Sequence, residues 1–270
     1  MTSSGVSRYD NGELPAQILR TAGEAARMTL QYGGGANRAE DVYCRICSAF
    51  GEDDAQISAV STNLSVALSV DGQSYSTVFR IKRRGVNLSK LNSINDVSRA
   101  LTSGTMTLAQ AEEALRKIEN SPANSDIVNV AASGFSSAFF SLLLGGGVWD
   151  FSLTFMIGAL ICYILSFFEK AGVYSFVNNL LGGLVDAGAA ILVSLAVTPI
   201  GLETNLEAVI VGAMMPLLPG LAMTNAIRDT ISGDYVSGTA SVMEALSMAI
   251  ALAAGAAVGF GIFMSQGVVL

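Results

Sequence analysis

Asp186 and Glu244 are the carboxylates set deepest in apolar sequence, where an acid can work by taking up and releasing a proton. Asp186 is the only charge in 173–200 and stands near its middle, while Glu244 immediately precedes the uncharged run 245–270. At membrane depth a carboxylate costs several kcal/mol unless it is protonated or paired. That suits a proton-coupling group; a structural hydrogen bond to a neighbouring helix is the alternative reading. On a helix Asn179, Gly183, Asp186, Ala190 and Ser194 share one small, polar stripe. Ser237, Ser241, Ser247 and Ala251 lie near the face of Glu244. A second feature is Pro216-Leu217-Leu218-Pro219-Gly220, well inside an uncharged run. Each proline removes an amide donor and clashes with the preceding turn, and carbonyls freed at membrane depth need a new partner. A helix restarting at Leu221 aims unpaired amides at the break, a seat for a carboxylate. Thr224 and Asn225 follow within a turn to bond the rest of a solute. A kink re-satisfied by neighbouring helices is the competing reading. Arg228, Asp229 and Asp234 cluster just beyond, where gating and helix-end pairing would use them equally well.

Other chemistry is closed off by what the chain lacks. Histidine is absent, which excludes Ser-His and Cys-His catalysis and His-ligated zinc or haem. Cys44-Arg45-Ile46-Cys47 is a lone CxxC in mid-helix rather than at a helix N-terminus after a strand, so it reads as packing. Gly33-Gly34-Gly35 has no Lys-Ser/Thr after it and no strand before it, so it is no phosphate loop and reads as a helix break or a close helix crossing. The net charge of −7 argues against nucleic acid, which needs a basic face. No metal, no cofactor and no enzymatic activity are expected.

The elements that must position these residues follow from the charge distribution. Only 14% of the 270 residues are charged, 51% are hydrophobic, and mean hydropathy is +0.51, against about 25% charged in an ordinary soluble domain. Thirteen of the 15 Lys and Arg lie in 1–126, leaving two basic and eight acidic residues for 127–270. A bilayer core needs about 20 apolar residues per helix. Five spans are predicted, at about 127–146, 150–168, 173–199, 206–228 and 235–264. They are separated at Gly145-Gly146-Gly147, Glu169-Lys170, Pro199-Ile200-Gly201 and Ser232-Gly233-Asp234. The opening residues contain no apolar core, so no cleavable signal peptide is expected and the N-terminus should stay in the cytoplasm. Lys170 and Arg228 then both fall on the cytoplasmic side, and the C-terminus should end outside.

Residues 1–125 read as a cytoplasmic α+β domain, ahead of an all-α polytopic membrane domain of five transmembrane helices at 126–270. Helical periodicity covers 13–32, with a second helix from about 37 to 50. Strand-type runs follow at 56–62, 64–70 and 75–81, with the hairpin turn Asp71-Gly72 between the last two. Thr107-Leu108-Ala109-Gln110 is a capping box that starts a helix over 108–119. Lys82-Arg83-Arg84 reads as a solvated edge or a patch facing membrane lipid. Gly255 and Gly259 make a GxxxG for close helix packing, within the chain or with a partner.

Four stretches carry a resemblance over most of the chain: YGGGANRAEDVYCRICSAFG (32–51), RRGVNLSKLNSINDVSRALTSGTMTLAQAEEAL (83–115), FFSLLLGGGVWD (139–150) and PLLPGLAMTNAIRDTISGDYVSGTASVMEAL (216–246). In these the sequence resembles the threonine/serine exporter family, in particular its N-terminal-type subunit. The resemblance implies a secondary exporter of small polar metabolites in the cell membrane, either threonine/serine-type amino acids or C4-dicarboxylates such as succinate. Both classes carry a carboxylate for the break at Pro216–Gly220. Full-length members have about ten spans, and split systems pair a long subunit with a short, all-membrane one. Five spans therefore imply a small partner subunit of the same family or a second copy, whose half would have inverted topology. A passive channel or facilitator, and a non-transporting membrane sensor or assembly protein, stand as alternatives.

Overall fold

The computed structural model describes residues 13–60, 62–81, 84–122 and 125–265. Lys82 and Arg83, two thirds of the basic run noted above, lie outside them. The chain divides into two compact units, one made of 1–122 and 221–242, the other of 123–220 and 243–270.

In the first unit, helices α1 (Glu13–Gln31) and α2 (Ala36–Ala49) precede an antiparallel sheet of β1 (Ala55–Val60), β2 (Asn63–Val70) and β3 (Gln73–Arg80), in the order β1-β2-β3. The hairpin between β2 and β3 turns at Asp71 and Gly72, whose φ angles of 49° and 79° are those of a tight two-residue turn matched to strand twist. Leu64, Val66, Leu68 and Val70 alternate along β2 and are all buried. They meet Ile18, Ala22, Ala26 and Met28 of α1 and Tyr43, Ile46 and Cys47 of α2 in one core. Helix α3 (Leu88–Thr102) is capped by the Asn87 side chain, and α4 (Leu108–Asn120) by the predicted box. In that box the Gln110 amide donates to Thr107 Oγ1 at 3.3 Å, and the Thr107 amide to Gln110 Oε1 at 2.9 Å. Helix α9 (Gly220–Ile231) belongs here from Leu221 onward, together with the start of α10 (Tyr235–Met264).

Among its described residues the second unit has helices and no strand. It contains α5 (Asp126–Leu143), α6 (Val148–Lys170), α7 (Ser175–Val197), α8 (Leu206–Met214) and the remainder of α10. Ile157, Ile161, Val209 and Ile210 form a buried apolar cluster here too, but α5 packs through small residues. The buried stripe of α5 is Gly134, Ser137, Ala138 and Ser141, while Phe139, Leu143, Met156, Phe167 and Ile250 are exposed. Large apolar side chains outside and small ones at helix contacts are the arrangement lipid selects. A Cβ on Gly158 would come within 2.3 Å of Ser137 Oγ, and one on Gly212 within 2.8 Å of the Ser141 amide, so α6 and α8 both lie hard against α5.

Among the described residues four helices, α5, α6, α7 and α10, are long and apolar enough to cross a membrane. The fourth predicted span is instead broken. Helix α8 passes into a 3-10 turn at Met215–Leu217, Leu218 is extended, and α9 sets off with the two arms bent by 56°. Counted as one traversal, the bent pair brings the number to five.

Candidate functional site

Asp186 is fully buried on α7, and neither of its carboxylate oxygens has a hydrogen-bond partner among the described residues. Buried polar groups are normally paired. Its stripe is built as the spacing predicts: Gly183, Asp186 and Ala190 are buried, with Asn179 and Ser194 half-buried at either end. Asn179 Nδ2 donates to the Ser175 carbonyl at 2.8 Å, and Ser194 Oγ lies 3.2 Å from Thr204 Oγ1.

What presses on α7 is α10. A Cβ on Gly255 would sit 1.9 Å from the Leu180 carbonyl oxygen, and one on Gly183 2.0 Å from that of Leu252. The GxxxG pair therefore serves contact within this chain. Leu180 meets Gly255, Leu184 meets Gly259, and Gly188 faces Phe263. Both numbers rise together, so the two helices run parallel. The same register separates the two acidic candidates. Half-buried Glu244 lies roughly 20 Å along the helix axis from the level of Asp186, at 1.5 Å per residue. The structure does not bring them together.

The proline break holds Pro216 exposed and Pro219 half-buried, and the Gly220 amide donates to the Leu218 carbonyl at 2.8 Å. These residues, with Asp186 and Glu244, fall in the second unit. Thr224 and Asn225 fall in the first. Thr224 is exposed; Asn225 is buried, and its Nδ2 donates to the Gly33 carbonyl at 3.1 Å. The glycine run, with Gly33 at φ 96°, thus breaks the chain between α1 and α2 and lies close against α9. A Cβ on Gly35 would stand 3.2 Å from Asp229 Oδ1.

Asp229 is buried beside the first turn of α2, whose N-cap is Gly35 and has no side chain to offer. The Ala36 and Asn37 amides bond its carboxylate, and Asn37 Nδ2 donates to it at 3.3 Å. Asp229 therefore caps a helix 190 residues away in sequence. Asp234 caps α10, accepting from the Ser237 amide at 3.0 Å, and Arg228 is exposed. Two of the three expected gating residues thus hold helix ends in this conformation.

Sequence reasoning overlooked Asp150, which is buried at the start of α6. Its Oδ2 accepts from the Gly147 amide at 2.8 Å and its Oδ1 from the Asn205 amide at 3.0 Å; Asn205 Oδ1 in turn accepts from the Ala208 amide of α8. One carboxylate ties the loop before α6 to the loop before α8. An acid three residues past Gly147, in the first turn of a helix, was the available signal.

The threonine/serine exporter family model, ThrE, matches residues 20–263. The chain belongs to the threonine/serine exporter family. A relative described as a threonine/serine exporter, from Corynebacterium glutamicum, is 34% identical over 184 residues, covering 67% of this chain and 37% of that protein. The chain thus spans little more than a third of that relative's length. No solved structure matches it. Threonine/serine exporter family membership makes this a multi-pass membrane protein of a transporter family, not an enzyme.

Proposed function

We propose that the protein is an exporter of small carboxylate-bearing metabolites, of the threonine and serine type or C4-dicarboxylates such as succinate, driven by the proton gradient. The observation that carries the coupling is Asp186, enclosed on α7 with both oxygens unpartnered among the described residues. A carboxylate in that position exchanges a proton as the helices around it rearrange. The proline break at 215–220 supplies the second part. A helix interrupted at membrane depth exposes amides at the restarting end, the arrangement transporters use for anionic groups. On this reading Pro216, Pro219 and Gly220 form the break, Thr224 and Asn225 orient the solute, Glu244 is a second proton-coupling group, and Arg228, Asp229 and Asp234 gate the inner mouth.

The parallel run of α7 and α10 supports five traversals. With 1–125 in the cytoplasm, the C-terminus lies outside the cell membrane, and Lys170 and Arg228 lie inside, where basic residues concentrate. An odd number of spans leaves room for a topologically inverted companion, either a small all-membrane subunit of the same family or a second copy.

Efflux from cells lacking their own exporters tests this reading. Cells expressing the chain, with and without such a companion, are loaded with threonine, serine or succinate. Efflux of at least one solute that collapses when a protonophore is added is expected. Efflux that persists down its gradient under protonophore identifies a passive facilitator, and no efflux of any of the three overturns the proposal.

A further inference from the structure

Strand β3 is an edge of the sheet, and the face it turns toward the helices is incompletely covered. Tyr75, Thr77 and Phe79 on that face are only half-buried. The Phe79 ring reaches Gly23 of α1, where a Cβ would come within 2.4 Å of it. Beyond that contact α1, α4 and β3 enclose a cavity of about 650 Å³, within the range that holds ligands up to drug size. All of its lining belongs to the first unit.

The lining is apolar at Leu19, Phe79 and Leu115 and carries both signs of charge around them. Most of that charge is already committed. Arg27, next to the cavity, pairs with Glu24 at 2.5 Å and Glu119 at 2.6 Å. Arg116 pairs with Glu113 at 2.7 Å. Thr21 Oγ1 donates to Glu112 Oε1 at 3.0 Å. Among the lining residues, the Arg20 guanidinium has no partner among the described residues and Glu112 Oε2 bonds none of them; Glu119 Oε2 is also unbonded, but its carboxylate is already paired with Arg27 through Oε1. A guanidinium fork accommodates a carboxylate, and a carboxylate oxygen accepts from an ammonium. An anion with no cationic group would meet Glu24, Glu112 and Glu119; a cation with no anionic group would meet Arg20 and Arg116.

We infer that this cavity is a binding site for a small zwitterion carrying an α-carboxylate and an α-ammonium, either a free amino acid or a short peptide. The carboxylate bonds Arg20, the ammonium bonds Glu112, and the ligand's side chain lies over Leu19, Phe79 and Leu115. Thr77 and Ser76 add hydroxyls at the strand side of the cavity. The site is separate from Asp186 and the proline break and does not depend on which solute crosses the membrane.

The test uses the full chain in detergent micelles and equilibrium dialysis. The probes are threonine, a threonine-containing dipeptide, N-acetylthreonine, threonine amide and succinate. Threonine, the dipeptide or both are expected to bind, and which one binds more tightly identifies the source. Losing the ammonium in N-acetylthreonine, or the carboxylate in threonine amide, should weaken binding about tenfold or more, the worth of one charge-assisted bond. R20Q and E112Q should each produce a similar loss for threonine, and R20Q should no longer distinguish threonine from threonine amide. Glu112→Gln keeps an acceptor for Thr21, and Arg20 is exposed, so both variants should melt as the parent does. Threonine or dipeptide binding that neither substitution weakens lies elsewhere in the chain and overturns the inference, as does succinate binding that R20Q and E112Q both weaken as much as they weaken threonine's, or no binding by any probe. Efflux measured in parallel on R20Q keeps the two proposals apart, because neither outcome there alters the dialysis result.

Discussion

Cys47 is fully buried in α2, and burial pushes its thiol up to about 12. Raised from an ordinary value of 9.0, it carries about a thousandfold less thiolate at neutral pH. Disulfide exchange with an aromatic disulfide at pH 8 should therefore leave Cys47 unmodified in the native protein and modify it only on unfolding; rapid native-state reaction would restore a redox reading of the CxxC. Glu40, half-buried in the same helix, shows the same effect of burial on a carboxyl. Desolvation first, then the negative charges of Asp234, Asp229 and Asp41, raise its carboxyl above the usual range, although the Ala59 amide bonds it. A carboxyl raised on folding contributes stability that is fully present below its unfolded value near 4.5 and is lost as the pH climbs through its folded value. Glu40→Gln should therefore melt with the parent near pH 4 and above it at pH 7; a lower melting temperature at pH 7 would contradict this assignment. Single residues were legible where the chemistry was local. Thr107 and Gln110 needed only each other, and Asp71-Gly72 needed only the positive φ its turn demands. Asp150 was missed, and the helix that Asp229 caps could not be named, because their partners, the Asn205 amide and the first turn of α2, lie 55 and about 190 residues away.

At the scale of elements, the contact between α7 and α10 is made of backbone. Gly183 and Gly255 meet carbonyl oxygens of the opposite helix closer than any Cβ tolerates. Gly255→Ala should lower stability in detergent by about 1–3 kcal/mol, the usual cost of overpacking, whereas Gly261→Ala, with open space around it, should leave the melt unchanged or slightly raised. Equal effects at the two positions would mean that α10 does not contact α7 through this face. The GxxxG spacing announced a close contact but not its partner, since spacing says nothing about which helix lies opposite. The break in the fourth apolar stretch was legible because two prolines and a glycine within five residues leave a helix few amides to continue with. That residues 221–242 join the front residues in one compact unit was not legible. Hydropathy ranks Leu221–Ile231 with the spans, while its buried face of Asn225, Ala226 and Asp229 is fitted to the loop and helix end at Gly33–Asn37.

For the whole molecule, lengths and directions agree. Helix α10 runs 30 residues, about 45 Å at 1.5 Å each and longer than a hydrocarbon core of about 30 Å. Its portion from Met243 onward, which belongs to the second unit, measures about 33 Å on the same rise and matches that core. Parallel α7 and α10 fit the proposed return of the chain between them through the bent stretch of α8 and α9. Asp186 is an enclosed acid on α7 with no partner among the described residues, and the account of coupled export rests on it. The direct measurement is efflux of the preferred solute by wild type and Asp186→Asn at matched membrane abundance, over a range of imposed pH gradients. The account predicts that the wild-type rate follows the gradient, while the variant falls by about tenfold or more and no longer responds to it. An Asp186→Asn protein whose efflux rises with the gradient as wild type does would contradict it.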